Sequence, residues 1–318
     1  MNSRLPSTSH LHWAVPKKIT SLKECFFYHK MDIPGYGTVE GDWDLRSREK
    51  TYLGNVNVAG KRVLEIGPAN GQLTFAMERM GADVITYDLS EDDEWDVVPY
   101  AGTDIKEYHR SRRNNILTVN NGFWLAHKAF NSKARLAYGK VYDIPDEIGM
   151  FEICTFGTML LHLRDPFLAL QRVTAHASEI AIITDMLPKF SSDLTLDRRL
   201  VEFLPNSALR DPYETWWLIS PELNAEFLRI LGFPYTTITY HSQLFRGKEA
   251  QLYTVVGHRN QPKDYESSAA KSDVEVSSIT ALNQRVDQKL LDRLALERLP
   301  ISDIFQHVVH RALKRLKN

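Results

Sequence analysis

This sequence predicts an α/β fold with a mostly parallel sheet, on three observations. Short β-rich runs alternate with stretches of helical apolar spacing between residues 61 and 258, the pattern of βαβ units. One of these runs ends in a glycine-rich turn that opens a helix, Gly67-Pro68-Ala69-Asn70-Gly71. The last two strand-like runs flank Gly247, which marks a hairpin and hence an antiparallel edge. Around residues 61–258, residues 1–60 read as an aromatic- and turn-rich N-terminal cap. Residues 259–281 read as a polar linker and 282–318 as an amphipathic helical tail.

The elements follow in order. Arg62–Ile66 (RVLEI) is a buried-strand run that stops at Gly67, and Gln72–Met80 is helical until Gly81 ends it. Asp83–Tyr87 is a second strand, Phe123–Phe130 a helix and Arg135–Tyr138 a third strand. Phe151–Phe156 and Glu179–Thr184 are strands four and five. Pro166–Ala177 between them carries Phe167, Leu170 and Val173 on one side of a helix. Ser220 is a good N-cap, Pro221 suits the first turn, Glu222 complements the dipole, and Gly232 closes that helix. Thr236–His241 and Leu252–His258 form the hairpin.

Composition sets outer bounds. At 318 residues, 43% hydrophobic and 25% charged, the chain buries a sizeable core. Lys+Arg at 39 against Asp+Glu at 40 gives a net charge of −1, so bulk charge does not draw it to nucleic acid. Two cysteines, Cys25 and Cys154, are too few for a disulfide framework or a cysteine zinc site. Cys154 sits in an apolar run and reads as core. The start lacks a signal-peptide run, and no stretch approaches the roughly 18 apolar residues of a membrane span. A cytoplasmic location is the expectation.

The most informative stretch is Glu65-Ile66-Gly67-Pro68-Ala69-Asn70-Gly71, followed by Tyr87-Asp88 at the end of the second strand. Glycines in the turn let backbone approach a ligand and permit positive φ. An acid at the next strand end accepts from both hydroxyls of a ribose. A dinucleotide fingerprint needs a third glycine, which is absent. The spacing E-x-G-x-x-x-G instead resembles motif I of class I S-adenosylmethionine-dependent methyltransferases. Tyr138–Pro145 is similar to that family's adenine-bordering segment, with Lys140 where the family has Asp. Phe151-Glu152-Ile153-Cys154 resembles its fourth strand, and Leu160–Pro166 the segment after it.

The flanks, Tyr28-His29, Gly41–Arg46 and Trp216–Pro221, resemble the branch that holds the wobble-uridine tRNA (carboxy)methyltransferases and their relatives in polysaccharide gene clusters. Leu161 stands where the tRNA enzymes carry the Tyr that reads a carboxylated donor, which favours ordinary methyl transfer. The resemblance implies a Rossmann-like fold and S-adenosylmethionine as cofactor. It assigns the cofactor to Glu65, Gly67, Pro68, Ala69, Gly71, Asp88, Leu89, Val141, Tyr142 and Thr155.

Methyl transfer needs alignment, exclusion of water and, for a hydroxyl acceptor, a proton acceptor. His162 after the fourth strand, Asp185 ending the fifth and His29 are the candidate bases. Tyr28, Trp43, Arg46, Trp216 and Trp217 are the candidate acceptor-binding residues, the tryptophans as a wall for a sugar or base. The expected acceptor is a hydroxyl of a small molecule or glycan. A tRNA acceptor and a cofactor-binding protein without turnover are the alternatives. No metal is expected: Glu91–Glu94 with Asp96 reads as a solvated loop, and the paired acids of a catechol-type metal site are missing. Lys106, Arg110, Arg112 and Arg113 beside Tyr108 read as an exposed helix face or as contacts to a phosphate-bearing acceptor. The tail, with Ile304, Phe305, Val308 and Val309 at helical spacing and basic residues from Arg311 onward, is expected to pack on the core or on a second copy. An anionic membrane surface is its alternative partner.

Overall fold

A computed structural model of the chain describes residues 7, 9–188 and 198–263. Most of the polar linker and the whole of the helical tail fall outside these residues. The first segment supplies β1 (His12–Trp13), β2 (Met31–Ile33), β3 (Gly37–Val39), β4 (Trp43–Asp44) and the one-turn helix α1 (Glu49–Tyr52). The central region runs β5 (Arg62–Ile66), α2 (Gln72–Arg79), β6 (Asp83–Asp88), α3 (Ile105–Ala129), β7 (Arg135–Tyr138), β8 (Phe151–Gly157), α4 (Pro166–Thr174) and β9 (Ala177–Met186). Then come β10 (Val201–Phe203), β11 (Trp217–Ile219), α5 (Pro221–Ile230), β12 (Tyr235–Phe245) and β13 (Lys248–His258).

Among the described residues nine strands make the central sheet, in the order β1-β7-β6-β5-β8-β9-β13-β12-β4. The run β7-β6-β5-β8-β9 is parallel. β13 is antiparallel to β9 and closes a hairpin with β12. This is the α/β sheet with an antiparallel edge hairpin that the sequence predicts. Alternation along the strands feeds two cores. Leu64, Cys154, Phe156 and Ile183 face Leu170 and Val173 of α4 and Leu228 of α5. Val63, Val84, Ile153 and Ile182 face Leu73 and Met77 of α2. No helix among the described residues is long and apolar enough to cross a membrane.

Three elements differ from expectation. The helix placed at Phe123–Phe130 is the end of α3, which is 25 residues long. Its first half is solvated and polar, so apolar periodicity does not betray it. Asp104 starts it by accepting from the Glu107 amide. The N-terminal segment is more than a cap. β1 adds to one edge of the sheet by pairing with β7, and β4 adds to the other by pairing with β12, so both edges are covered. Arg259, assigned to the linker, is held on the core. Its guanidinium donates to the Ala177 and Thr174 carbonyls at 2.8 and 2.9 Å and lies over the Phe233 ring.

Candidate functional site

Chain order reverses at β5 and β8. From β5 the next strands, β6 and β7, build outward on one side, whereas β8 and β9 build on the other. Ligands of open α/β sheets bind at such a switch point, beyond the carboxyl ends of the strands. The turn Gly67–Gly71 lies there. Gly67, Ala69 and Gly71 all take positive φ, at 69°, 49° and 84°. The Gly71 amide closes the turn on the Pro68 carbonyl at 2.8 Å. A Cβ on Gly67 would stand 2.7 Å from Met159 Sδ, and one on Gly71 2.6 Å from the Phe75 ring.

Asp88 ends the adjacent strand and accepts from the backbone amides of Leu89, at 2.8 Å, and Ala69. The acid and the turn are therefore one unit. Burial pushes the Asp88 carboxyl up to about 6, against those amides. Glu65 is buried, takes a hydrogen bond from Thr74 Oγ1 of α2 and is pushed up to about 8 by burial, with Asp88 adding to the rise. In register it lies between Thr86 on β6 and Thr155 on β8, a polar row beneath the turn. Leu89 accepts from Asn120 of α3 through its carbonyl. Val141 is buried in the same apolar core as Tyr87. The Tyr142 hydroxyl donates to Asp96 and accepts from the Asp165 amide, so this side chain braces a loop rather than standing open.

The other wall follows β8. Thr158, at φ 51°, leads to Met159 and to a 3-10 turn over Leu160–His162. His162 Nδ1 meets the Glu214 carbonyl at 2.6 Å, which fixes the proton on Nδ1 and leaves Nε2 as the acceptor. Burial lowers its pKa and this bond raises it, with burial the larger effect. The Glu214 carboxylate in turn accepts from Arg112 Nε and the Tyr108 hydroxyl, each at 2.7 Å. Arg112 is thus committed to a buried ion pair, while Lys106, Arg110 and Arg113 remain on the exposed part of α3.

Asp185, 4% exposed, is the last residue but one of β9 and accepts from the Met186 amide. Burial pushes it up to about 7. The neighbouring Thr184 Oγ1 donates to the Tyr52 carbonyl at 2.6 Å, so the first segment meets this end of the sheet. His29 is held neutral, its pKa lowered to about 4 by burial, and its buried Nδ1 has no hydrogen-bond partner among the described residues. Trp43 donates to the Tyr28 hydroxyl at 3.2 Å and packs against Phe245. Arg46 stands apart, its guanidinium paired with Asp32 and Asp44 at 2.9 and 2.7 Å. Whereas Trp43 packs on Phe245, Trp216 and Trp217 pack on each other and on Phe203. Their indoles donate to the carbonyls of Asp96 and of Leu163 and Arg164, and pin the β10–β11 hairpin to the loop after β8. His162 and Asp185 share no hydrogen bond.

Sequence reasoning missed three residues of this arrangement. Asn70, fully buried, accepts from the Tyr28 amide and donates to the Phe26 and Val119 carbonyls at 2.7 and 3.1 Å. It fastens the first segment to the turn. Tyr52 bonds to Thr158 at 2.6 Å, and Glu214 orients His162. Each partner lies 42 to 106 residues away, so no local pattern signals them. Of the acidic run, Glu91 is paired with Lys17 at 2.6 Å. Among the described residues no three His, Cys, Asp or Glu side chains are grouped to hold a metal ion.

No protein-family model matches the chain, and no curated protein matches it. Similar solved structures include the N-terminal domain of EvdMO1 in the presence of SAH and D-fucose. It is 18% identical, with a TM-score of 0.43, over 73% of this chain and 90% of that one. Magnesium protoporphyrin IX methyltransferase (ChlM) from Synechocystis, with bound SAH, is 14% identical, with a TM-score of 0.38, over 67% and 81%. A protein assigned as a methyltransferase, from Bacillus halodurans, is 11% identical, with a TM-score of 0.41, over 68% and 100%. At these scores the likenesses add nothing to the geometry of the site.

Proposed function

We propose that this chain is an S-adenosylmethionine-dependent methyltransferase that acts on a hydroxyl of a small molecule or glycan. The observation that carries this reading is the joined unit of turn and acid at the switch point. Three residues of one turn at positive φ bring backbone close to a ligand, and Asp88, bonded to the same turn through the Ala69 amide, presents a carboxylate beside it. A Cβ on Gly67 would meet Met159 and one on Gly71 the Phe75 ring, so the turn keeps this close course only with glycine at both places. The donor set suits a ribose and a cationic amino-acid end: Asp88 for hydroxyls, and Glu65 beneath the turn as the buried acid.

Bound there, S-adenosylmethionine supplies an electrophilic methyl group on a sulfonium. The chain's own residues do the rest. Gly67–Gly71 and Asp88 hold the donor. Met159 covers the turn and limits water. The first segment, with Tyr28 and Tyr52, closes over the end of β9 and narrows the approach of the acceptor. A hydroxyl acceptor must lose a proton, and two groups suit that step. Asp185, at about 7, is poised near neutral pH. His162 Nε2 is the second, its tautomer set by Glu214.

Calorimetry with S-adenosylhomocysteine tests the cofactor, with affinity expected near the micromolar range, roughly −8 kcal/mol. A labelled methyl donor is then offered with glycans, small hydroxyl compounds and tRNA. Label in the first two supports the proposal. Label only in tRNA, with binding that falls steeply with salt, assigns the RNA acceptor instead. Absence of cofactor binding overturns the proposal altogether.

A further inference from the structure

We infer that Tyr52 is a positioning residue for the cofactor turn, acting through Thr158. The inference rests on the cofactor reading of the cleft. Thr158 comes directly after the last residue of β8 and takes φ 51°. For a β-branched residue this left-handed conformation is a genuine outlier, and such outliers persist only where surrounding structure over-determines them. Two bonds do so here. The Thr158 amide donates to the Thr184 carbonyl at 2.7 Å, and its hydroxyl meets the Tyr52 hydroxyl at 2.6 Å.

Tyr52 is itself fixed from below. Its carbonyl accepts from Thr184 Oγ1 at 2.6 Å and from Thr254 Oγ1 at 3.1 Å, and its ring meets the edge of His241. The phenol reaches Thr158 because residue 157 is glycine. A Cβ there would stand 2.9 Å from the Tyr52 hydroxyl oxygen.

The pinned Thr158 sets the course of the next four residues. Met159 Sδ lies over Gly67, where a Cβ would approach to 2.7 Å. The Met159 carbonyl accepts from the His162 amide at 3.0 Å. One strained residue thus sets both the side chain that covers the cofactor turn and the turn that carries His162. The pin comes from α1, in the first segment, so closing that segment over the sheet and shaping the cofactor turn are coupled. When the pin is lost, Thr158 is free to relax to negative φ. Apparent affinity then falls by the fraction of molecules still competent to bind.

The test is a double-mutant cycle on S-adenosylhomocysteine affinity, with Y52F and T158G made singly and together. Y52F should weaken binding by about fivefold, the worth of one net hydrogen bond. Glycine adopts positive φ without strain, so in the T158G background Y52F should change affinity by less than about twofold. Hydrogen exchange at amides 158–163, measured without ligand, should quicken in Y52F. Unchanged affinity in Y52F, or an equal loss in both backgrounds, overturns the inference, because a merely structural tyrosine lowers melting temperature alike in both. No binding by the unaltered protein, with exchange still quickened in Y52F, overturns the cofactor reading and leaves the pin on this turn supported.

Discussion

Asn70→Ala offers the sharpest test of how the first segment is held. Asn70 is fully buried, and its amide serves three backbone groups: the Tyr28 N–H and the Phe26 and Val119 carbonyls. The Val119 carbonyl lies inside α3 and keeps its helical partner. The Tyr28 N–H and the Phe26 carbonyl lose theirs. Each buried group left unpaired costs about 1–3 kcal/mol, so a loss of about 3 kcal/mol is expected, or about 6–12 °C in melting temperature for a domain of this size. Urea denaturation at constant slope is the assay. Asn70→Asp sharpens it. The acid keeps an acceptor for Tyr28 but turns a charge toward two carbonyls, so it should be better tolerated at pH 4 than at pH 8. A loss below about 0.5 kcal/mol for Asn70→Ala would refute the claim that this side chain joins segment and turn.

Four further outcomes are expected. Asp88→Ala should weaken S-adenosylhomocysteine binding by about 1.5–3 kcal/mol; unchanged affinity by calorimetry would remove the ribose assignment. Gly67→Ala places a Cβ at positive φ and should cost about 1–2 kcal/mol of stability, since Met159, a flexible side chain, can yield; a neutral result in denaturant would contradict the turn geometry. Asp185 is raised from 3.8 to about 7 in the folded state. Its contribution to stability is therefore complete below about pH 4 and is lost as pH rises through 7, and Asp185→Asn should flatten melting temperature over that window, with parallel curves counting against it. His162→Ala, assayed with the acceptor identified by methyl transfer, should lower kcat by about 10²–10⁴-fold at unchanged cofactor affinity; near-normal turnover would make His162 structural.

What the sequence by itself determined is local. Val63–Ile66 is strand because a short run, apolar but for Glu65, ends at a glycine, and Gly67 and Gly71 are glycines because the turn there takes positive φ. Ser220 caps α5 as expected, accepting from the Leu223 amide at 3.2 Å. Each of these causes lies within a few residues of its effect. The start of α3 escaped because its exposed first turns need no apolar stripe, only the Asp104 cap. Tertiary structure decided the rest. β1 and β4 are two-residue strands, too short to carry a periodic signal, and exist because a sheet edge offers unpaired backbone to them. Arg46 and Trp43 look alike as candidates in sequence, yet one is spent on Asp32 and Asp44 and the other is packed on Phe245. Tyr52 finds Thr158, and His162 finds Glu214, only when β8 ends at the switch point and the first segment folds back over it. A hydrogen bond across 52 or 106 residues leaves no trace in local composition, because its partners are chosen by where the strands end and not by what stands beside them in the chain.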